Sequence, residues 1–183
     1  LPLFAAGRLR PVLDRTFPLT WVPSDLDWDD WKQIEPLFDA LQKGAGTKDL
    51  KAWLQDWSEL ECAFYEESSR RYVAMTCDTE DPEKEKRYLH LETVITPLAK
   101  PRWQELKRLY LDHPKRGRLP KGVYGVMDRF LQNEFDLYRE ANIPLEAKDA
   151  ELAQQYQKIL GAMTDTFDGR EQTLQQMGKV LEE

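Results

Sequence analysis

His90 and His113 are the only imidazoles in this chain, and their separation decides what hydrolytic chemistry the sequence can carry. A zinc hydrolase site needs two histidines one helical turn apart, a carboxylate between them as base, and a further acidic ligand. His113 abuts Pro114, and His90-Leu91-Glu92 sets one imidazole and one carboxylate two positions apart, where helical side chains diverge. His90 is therefore expected to be a packing or surface residue. Carboxylates pair at Asp29-Asp30, Glu66-Glu67 and Glu182-Glu183, but acid–base work needs burial to shift one of the two pKa values, and adjacency supplies none. Ser58, Ser68 and Ser69 fall within a long helical pattern rather than on the tight turn that presents a nucleophile. Gly44-Ala45-Gly46 has neither the preceding strand nor the Lys-Ser/Thr pair of a phosphate loop. These patterns assign no catalytic, cofactor-binding or metal-ligating residue.

Cys62 and Cys77 fall in one helical pattern, which separates them by about 22 Å and excludes a disulfide between them. They are expected to be reduced and to act as small apolar core residues. Five of the six tryptophans lie between Trp21 and Trp57. Trp28/Trp31 and Trp53/Trp57 have three- and four-residue spacing, so each pair is expected along one helix face, packing the two opening helices together rather than stacking on a base or sugar.

These side chains must be carried by a chain of 183 residues with 32% charged and 41% hydrophobic residues, which fits one helical domain and not a disordered or low-complexity protein. The net charge of −7 argues against nucleic acid as a partner. Lys100 to Lys121 runs the other way, with eight Lys or Arg against Glu105 and Asp112; a solvated face or internal counter-charge is expected there. No window approaches roughly 18 uncharged apolar residues, so no membrane span is expected. The opening Leu1 to Gly7 lacks the basic start of a secretory signal, which makes a cytoplasmic location the expectation.

Periodicity predicts an all-α fold of antiparallel long helices with one minor extended segment near 164–168. Four prolines make residues 1–23 an extended arm, ahead of a helical lobe over 24–183. Ser24 is expected to cap a first helix through Leu41, with Pro36 as a kink and Gly44-Ala45-Gly46 as its end. Thr47 is expected to cap the long second helix, whose stripe runs Leu50, Trp53, Leu54, Trp57, Leu60, Cys62, Phe64, Tyr65, Tyr72 and Met75. Asp81-Pro82 restarts the chain as a third helix carrying Tyr88, Leu91, Val94, Ile95 and Leu98, which Pro97 and Pro101 should bend or interrupt. A fourth helix is expected from about Tyr124 to Glu140, with Met127, Phe130, Leu131 and Tyr138 on one face. Pro144 is expected to hold Ile143 extended before a helix whose stripe is Leu145, Leu152, Tyr156, Ile159 and Met163. Thr164, Thr166 and Phe167 favour an extended segment, Asp168-Gly169 a turn, and Glu171 to Glu183 a polar helix.

Thr76-Cys77-Asp78-Thr79, Ile95-Thr96-Pro97, Asn142-Ile143-Pro144-Leu145 and Tyr156-Gln157-Lys158-Ile159-Leu160-Gly161-Ala162 follow one another in this order behind a Trp- and acid-rich first helix. In that order they resemble the N-terminal part of the oligoendopeptidase F family of zinc metallopeptidases, relatives of thimet oligopeptidase. Each motif alone is capping and packing chemistry; their collinearity carries the likeness. The resemblance implies a non-catalytic lobe that shapes a channel for short peptides and closes against a zinc-bearing catalytic domain. That domain's H-E-x-x-H motif is nowhere in the sequence, so zinc is expected in the parent protein and not here. An opening Leu1 in place of Met, and an end at Glu183 without a helix cap, fit the expectation of a piece of a longer chain. The alternative is a stand-alone helical scaffold that binds another protein.

Overall fold

The computed structural model describes residues 19–178 and is helical apart from one small hairpin. Helix α1 spans Trp31–Gly44 and is capped by Asp30, whose carboxylate accepts from Lys32 N at 3.0 Å. Ser24 does not cap it. The Asp-rich stretch before it spends its groups on turns instead, Leu26 N donating to Pro23 O and Asp29 N to its neighbour Asp27, the local competition short polar side chains offer a helix. Pro36 lies within α1.

Helix α2 spans Leu50–Cys77 with Asp49 as its cap. Thr47, expected in that role, donates its hydroxyl back to Lys43 O in the last turn of α1. Helix α3, Pro82–His90, starts as expected: Asp81 accepts from Glu83 N and Lys84 N, and Pro82 takes a first-turn position where no N–H is needed. The chain then widens into a π-helical turn over Leu91–Ile95, with Thr96 N donating to Leu91 O, before α4 continues over Thr96–Leu111. The expected break at Pro97 is thereby absorbed. One wide turn re-pairs the backbone ahead of the ring, and helical structure runs on from α3 through α4.

A 3₁₀ turn at Arg116–Arg118 leads to α5, Lys121–Leu137, which begins before Tyr124 and ends before the expected Glu140 because Tyr138 is extended. Helix α6 spans Ile143–Ala162. Ile143 is helical (φ −52, ψ −52), not extended as expected: the preceding 3₁₀ turn, in which Asn142 N donates to Arg139 O, has already set a helical backbone. Strand β1, Thr164–Phe167, matches the expected extended segment. Its partner β2, Arg170–Thr173, replaces the start of the expected polar helix. Asp168 and Gly169 both have positive φ (51 and 71), the backbone a two-residue hairpin turn demands. Helix α7, Leu174–Met177, follows behind a capping box of Thr173 and Gln176. Residues 1–18 of the expected arm and 179–183 of the expected last helix lie outside the described residues.

Contacts between helices fix their directions. Arg71 meets Arg87, Ser68 meets Glu92, Phe64 meets Trp103 and Trp57 meets Tyr110, so α2 runs antiparallel to α3–α4. Tyr110 with Asp128, Lys107 with Glu134 and Gln104 with Phe135 set α5 antiparallel to α4. Lys100 with Glu146 and Glu85 with Lys158 do the same for α6. The bent α3–α4 rod is thus the spine of an all-α fold.

Around its α4 end, Ile34, Phe38, Leu41, Trp53, Trp57, Leu60, Phe64, Ile95, Leu106 and Tyr110 form the core. Trp53 and Trp57, 1% and 3% exposed, meet the expectation of core packing, and Trp53 Nε1 donates to Leu41 O at 2.8 Å. The stripes were otherwise broader than the buried faces. Cys62, Tyr65, Tyr72, Val94, Leu98 and Phe130 face solvent, because α2, α4 and α5 are each covered on one side only.

Candidate functional site

His90 and His113 serve the backbone. His90 Nε2 lies 3.0 Å from Asp29 O, and His113 Nδ1 accepts from Lys115 N at 3.1 Å. Among the described residues no group of three or more His, Cys, Asp or Glu is arranged to hold a metal, and these two histidines do not fit the zinc site of the resembled family. Cys62 and Cys77 are free thiols on the surface of α2, not core residues as expected.

Two buried charged residues were invisible in the sequence. Glu59 is enclosed under the segment 20–22 and accepts from Thr20 N at 2.7 Å, Trp21 N at 2.6 Å, Val22 N at 2.8 Å and the Thr20 hydroxyl at 2.8 Å. Burial by itself would raise its pKa; the hydrogen bonds from Val22, Trp21 and Thr20 together outweigh it and hold the carboxyl below its usual range. Arg71 is 5% exposed and donates to Asp29 at 2.6 Å, Glu67 at 2.7 Å and Arg87 O at 3.0 Å. Together these residues pin the chain before α1 onto α2.

The basic stretch is largely neutralised inside the molecule. Lys100 pairs with Glu146, Arg102 with Asp39, Lys107 with Glu134, and Arg108 with Glu105 and Asp112. Arg116 Nε donates to Asp128 at 2.6 Å, and Asp128 also accepts from the Tyr110 hydroxyl at 2.9 Å. Burial, with the hydrogen bond to Asp128 second, pushes the Tyr110 phenol up to about 12.

The largest feature open to a partner is apolar. On α6, Leu145, Leu152, Tyr156, Ile159 and Met163 are all exposed, Ile159 by 63%. At 100° per residue they fall within a narrow stripe. On α5, Val123, Val126, Phe130 and Leu137 form a second stripe, reaching 75% exposure at Leu137. Phe167 on β1 and Leu174 on α7 are exposed as well. The opposite face of α6 is polar: Gln154 is its buried residue and donates to Glu85, which also takes Lys158 at 2.9 Å. Single exposed apolar residues need no explanation, but two aligned stripes do.

Between α2, α4, α5 and α6 lies a cavity of about 520 Å³. Its lining includes Phe64, Trp103 and Tyr138 beside Glu61, Glu92 and Gln104. Three lining atoms, Thr96 Oγ1, Gln104 Oε1 and Tyr138 OH, are buried without a hydrogen-bond partner. Burial raises the Glu61 carboxyl pKa; Lys107 opposes the rise and Glu134 adds to it. None of these residues stood out in the sequence, because they come from four helices and share no spacing.

No helix among the described residues is long and apolar enough to cross a membrane. Comparison with protein families, with curated proteins and with solved structures finds no match to this chain.

Proposed function

We propose that this chain is the N-terminal helical lobe of a zinc-dependent oligoendopeptidase, a wall of the channel that admits short peptides, without catalytic residues of its own. The observation that carries the proposal is the pair of exposed apolar stripes on α5 and α6. A helix whose polar face packs inward and whose large apolar face points outward is half of an interface. In the resembled family the surface that would cover it is the lobe's own catalytic domain. A second contact supports the likeness. Thr79, from the Thr-Cys-Asp-Thr step, and Gly161, from the Tyr-Gln-x-Ile-x-Gly-Ala stretch, touch in space: a Cβ on Gly161 would stand 2.7 Å from Thr79 Oγ1. Two of the collinear motifs are therefore one packing unit between the end of α2 and the end of α6.

The coding sequence beyond residue 183 tests this. An in-frame catalytic region bearing H-E-x-x-H is expected, and a stop codon at that point overturns the proposal in favour of a stand-alone scaffold. Expressed as a separate piece, that region should bind this chain, and Ile159→Asp with Phe130→Asp should abolish the binding.

A further inference from the structure

The cavity between α2, α4, α5 and α6 has a charge balance that its pairing pattern makes specific. Lys107 is taken by Glu134 at 3.0 Å, and Lys100 by Glu146. Arg139 at the rim donates to Asp136 O at 2.8 Å and Tyr138 O at 2.6 Å. Once these cations are matched, Glu61 and Glu92 are left lining the cavity with no ion-pair partner among the described residues. Glu92 accepts one hydrogen bond, from the Ser68 hydroxyl at 3.0 Å, which leaves its second oxygen open.

The unpartnered amide oxygen has a fixed sense. Gln104 Nε2 donates to Phe135 O at 3.2 Å, so turning the amide over would set oxygen against oxygen; Gln104 Oε1 must stay an acceptor. The Thr96 and Tyr138 hydroxyls, also without partners, can accept as well as donate. What the cavity lacks is therefore a donor, preferably a charged one. Its apolar lining is aromatic, with Phe64, Tyr65 and Trp103, and aromatic faces attract cations. Its volume of about 520 Å³ lies within the roughly 300–1,000 Å³ of small-molecule sites.

We propose that this cavity binds a small organic ammonium ion, its N–H groups taken by Glu61, Glu92 and the Gln104 amide oxygen and its apolar body laid against the aromatic wall. An anion would meet two unmatched carboxylates, and a neutral alcohol would leave both charges uncompensated. The site does not depend on the peptidase proposal, which concerns the far faces of α5 and α6, and either can fail without the other.

Titration of the whole 183-residue chain with phenethylamine, 2-phenylethanol and phenylacetate, followed by calorimetry or ligand-observed NMR, tests it. Saturable binding of phenethylamine is expected, at least about tenfold tighter than 2-phenylethanol, since one charge-assisted hydrogen bond is worth that factor. Phenylacetate should be weakest. Glu61→Gln should weaken the amine about tenfold and leave the alcohol unchanged. Glu92→Gln, which can keep the bond from Ser68 through its amide oxygen, should act in the same direction and decides the matter if Glu61→Gln does not fold. The proposal is overturned by equal affinity for amine and alcohol, by preference for phenylacetate, by no saturation with any probe, or by an amine affinity that folded Glu61→Gln and Glu92→Gln both leave unchanged.

Discussion

Helices α2 and α6 both carry an apolar stripe with helical spacing, and they spend it in opposite ways. The stripe of α2 puts Trp53, Trp57, Leu60 and Phe64 into a closed core, and the polar face looks outward. The stripe of α6 looks outward, while Gln154, Lys158 and Glu146 meet the α3–α4 spine through hydrogen bonds and ion pairs. Beyond Leu111, Leu131 is the one buried apolar residue among those described. Residues 31–111 are thus held by apolar burial and residues 121–177 mainly by polar contacts, which in water contribute less for each group ordered. The difference teaches that amphipathic spacing identifies a helix but not the medium its stripe faces.

The comparison breaks most visibly at Trp53. Trp53→Ala is expected to destabilise the fold by about 3–5 kcal/mol in urea denaturation, through the emptied volume and the lost bond to Leu41 O. A loss under about 1 kcal/mol would mean that the first region is not the stability core.

Glu59→Gln sharpens it at the edge of that core. Trading the charged acceptor for an amide should cost about 1.5–3 kcal/mol, because buried backbone donors of residues 20–22 lose their anion. The effect depends on pH. The Glu59 carboxyl is held below its ordinary 4.5 in the folded chain, so its contribution is complete above that pH and is lost as pH falls through the lower folded value. The stability difference between wild type and Glu59→Gln should therefore be largest near neutral pH and shrink in acid. A difference that grows on acidification would reverse the assignment.

The smallest effect on stability belongs to the second region. Leu152→Ser with Ile159→Ser should change stability by no more than about 0.5 kcal/mol, as exposed positions do, while lowering binding of a polarity-sensitive dye and any self-association. Destabilisation near that of Trp53→Ala would show that α6 buries its stripe in solution.

Much of the fold was legible because its signals are local. Asp81-Pro82 and Asp168-Gly169 state a helix start and a hairpin turn in two residues each, and the structure keeps both. The start of α1 was misplaced since Ser24 and Asp30 are equally good caps in isolation; the turns that consume residues 23–29 decide between them. Strand β2 was missed because Arg170-Glu171-Gln172-Thr173 has no apolar alternation and is a strand only through pairing with β1. Glu59 and Arg71 could not be singled out, as the groups that make them special lie in segments far away in sequence. The cavity was beyond sequence for the same reason, with Glu61, Glu92, Gln104 and Tyr138 coming together only after the helices align.

The wide turn at Leu91–Ile95 makes chain length, more than residue identity, the constrained quantity in the spine. A π-helical turn is in effect one residue inserted into an α-helix. Removing a residue there would restore regular winding and swing everything after it by about 100°. Trp103, Leu106 and Tyr110 would then turn away from Phe38 and Trp57, which they now meet. Val94 is exposed and open to exchange of its side chain, yet deleting it would unseat a core on the far side of Pro97. Related chains should accordingly vary in letters through 91–95 and carry no gaps there.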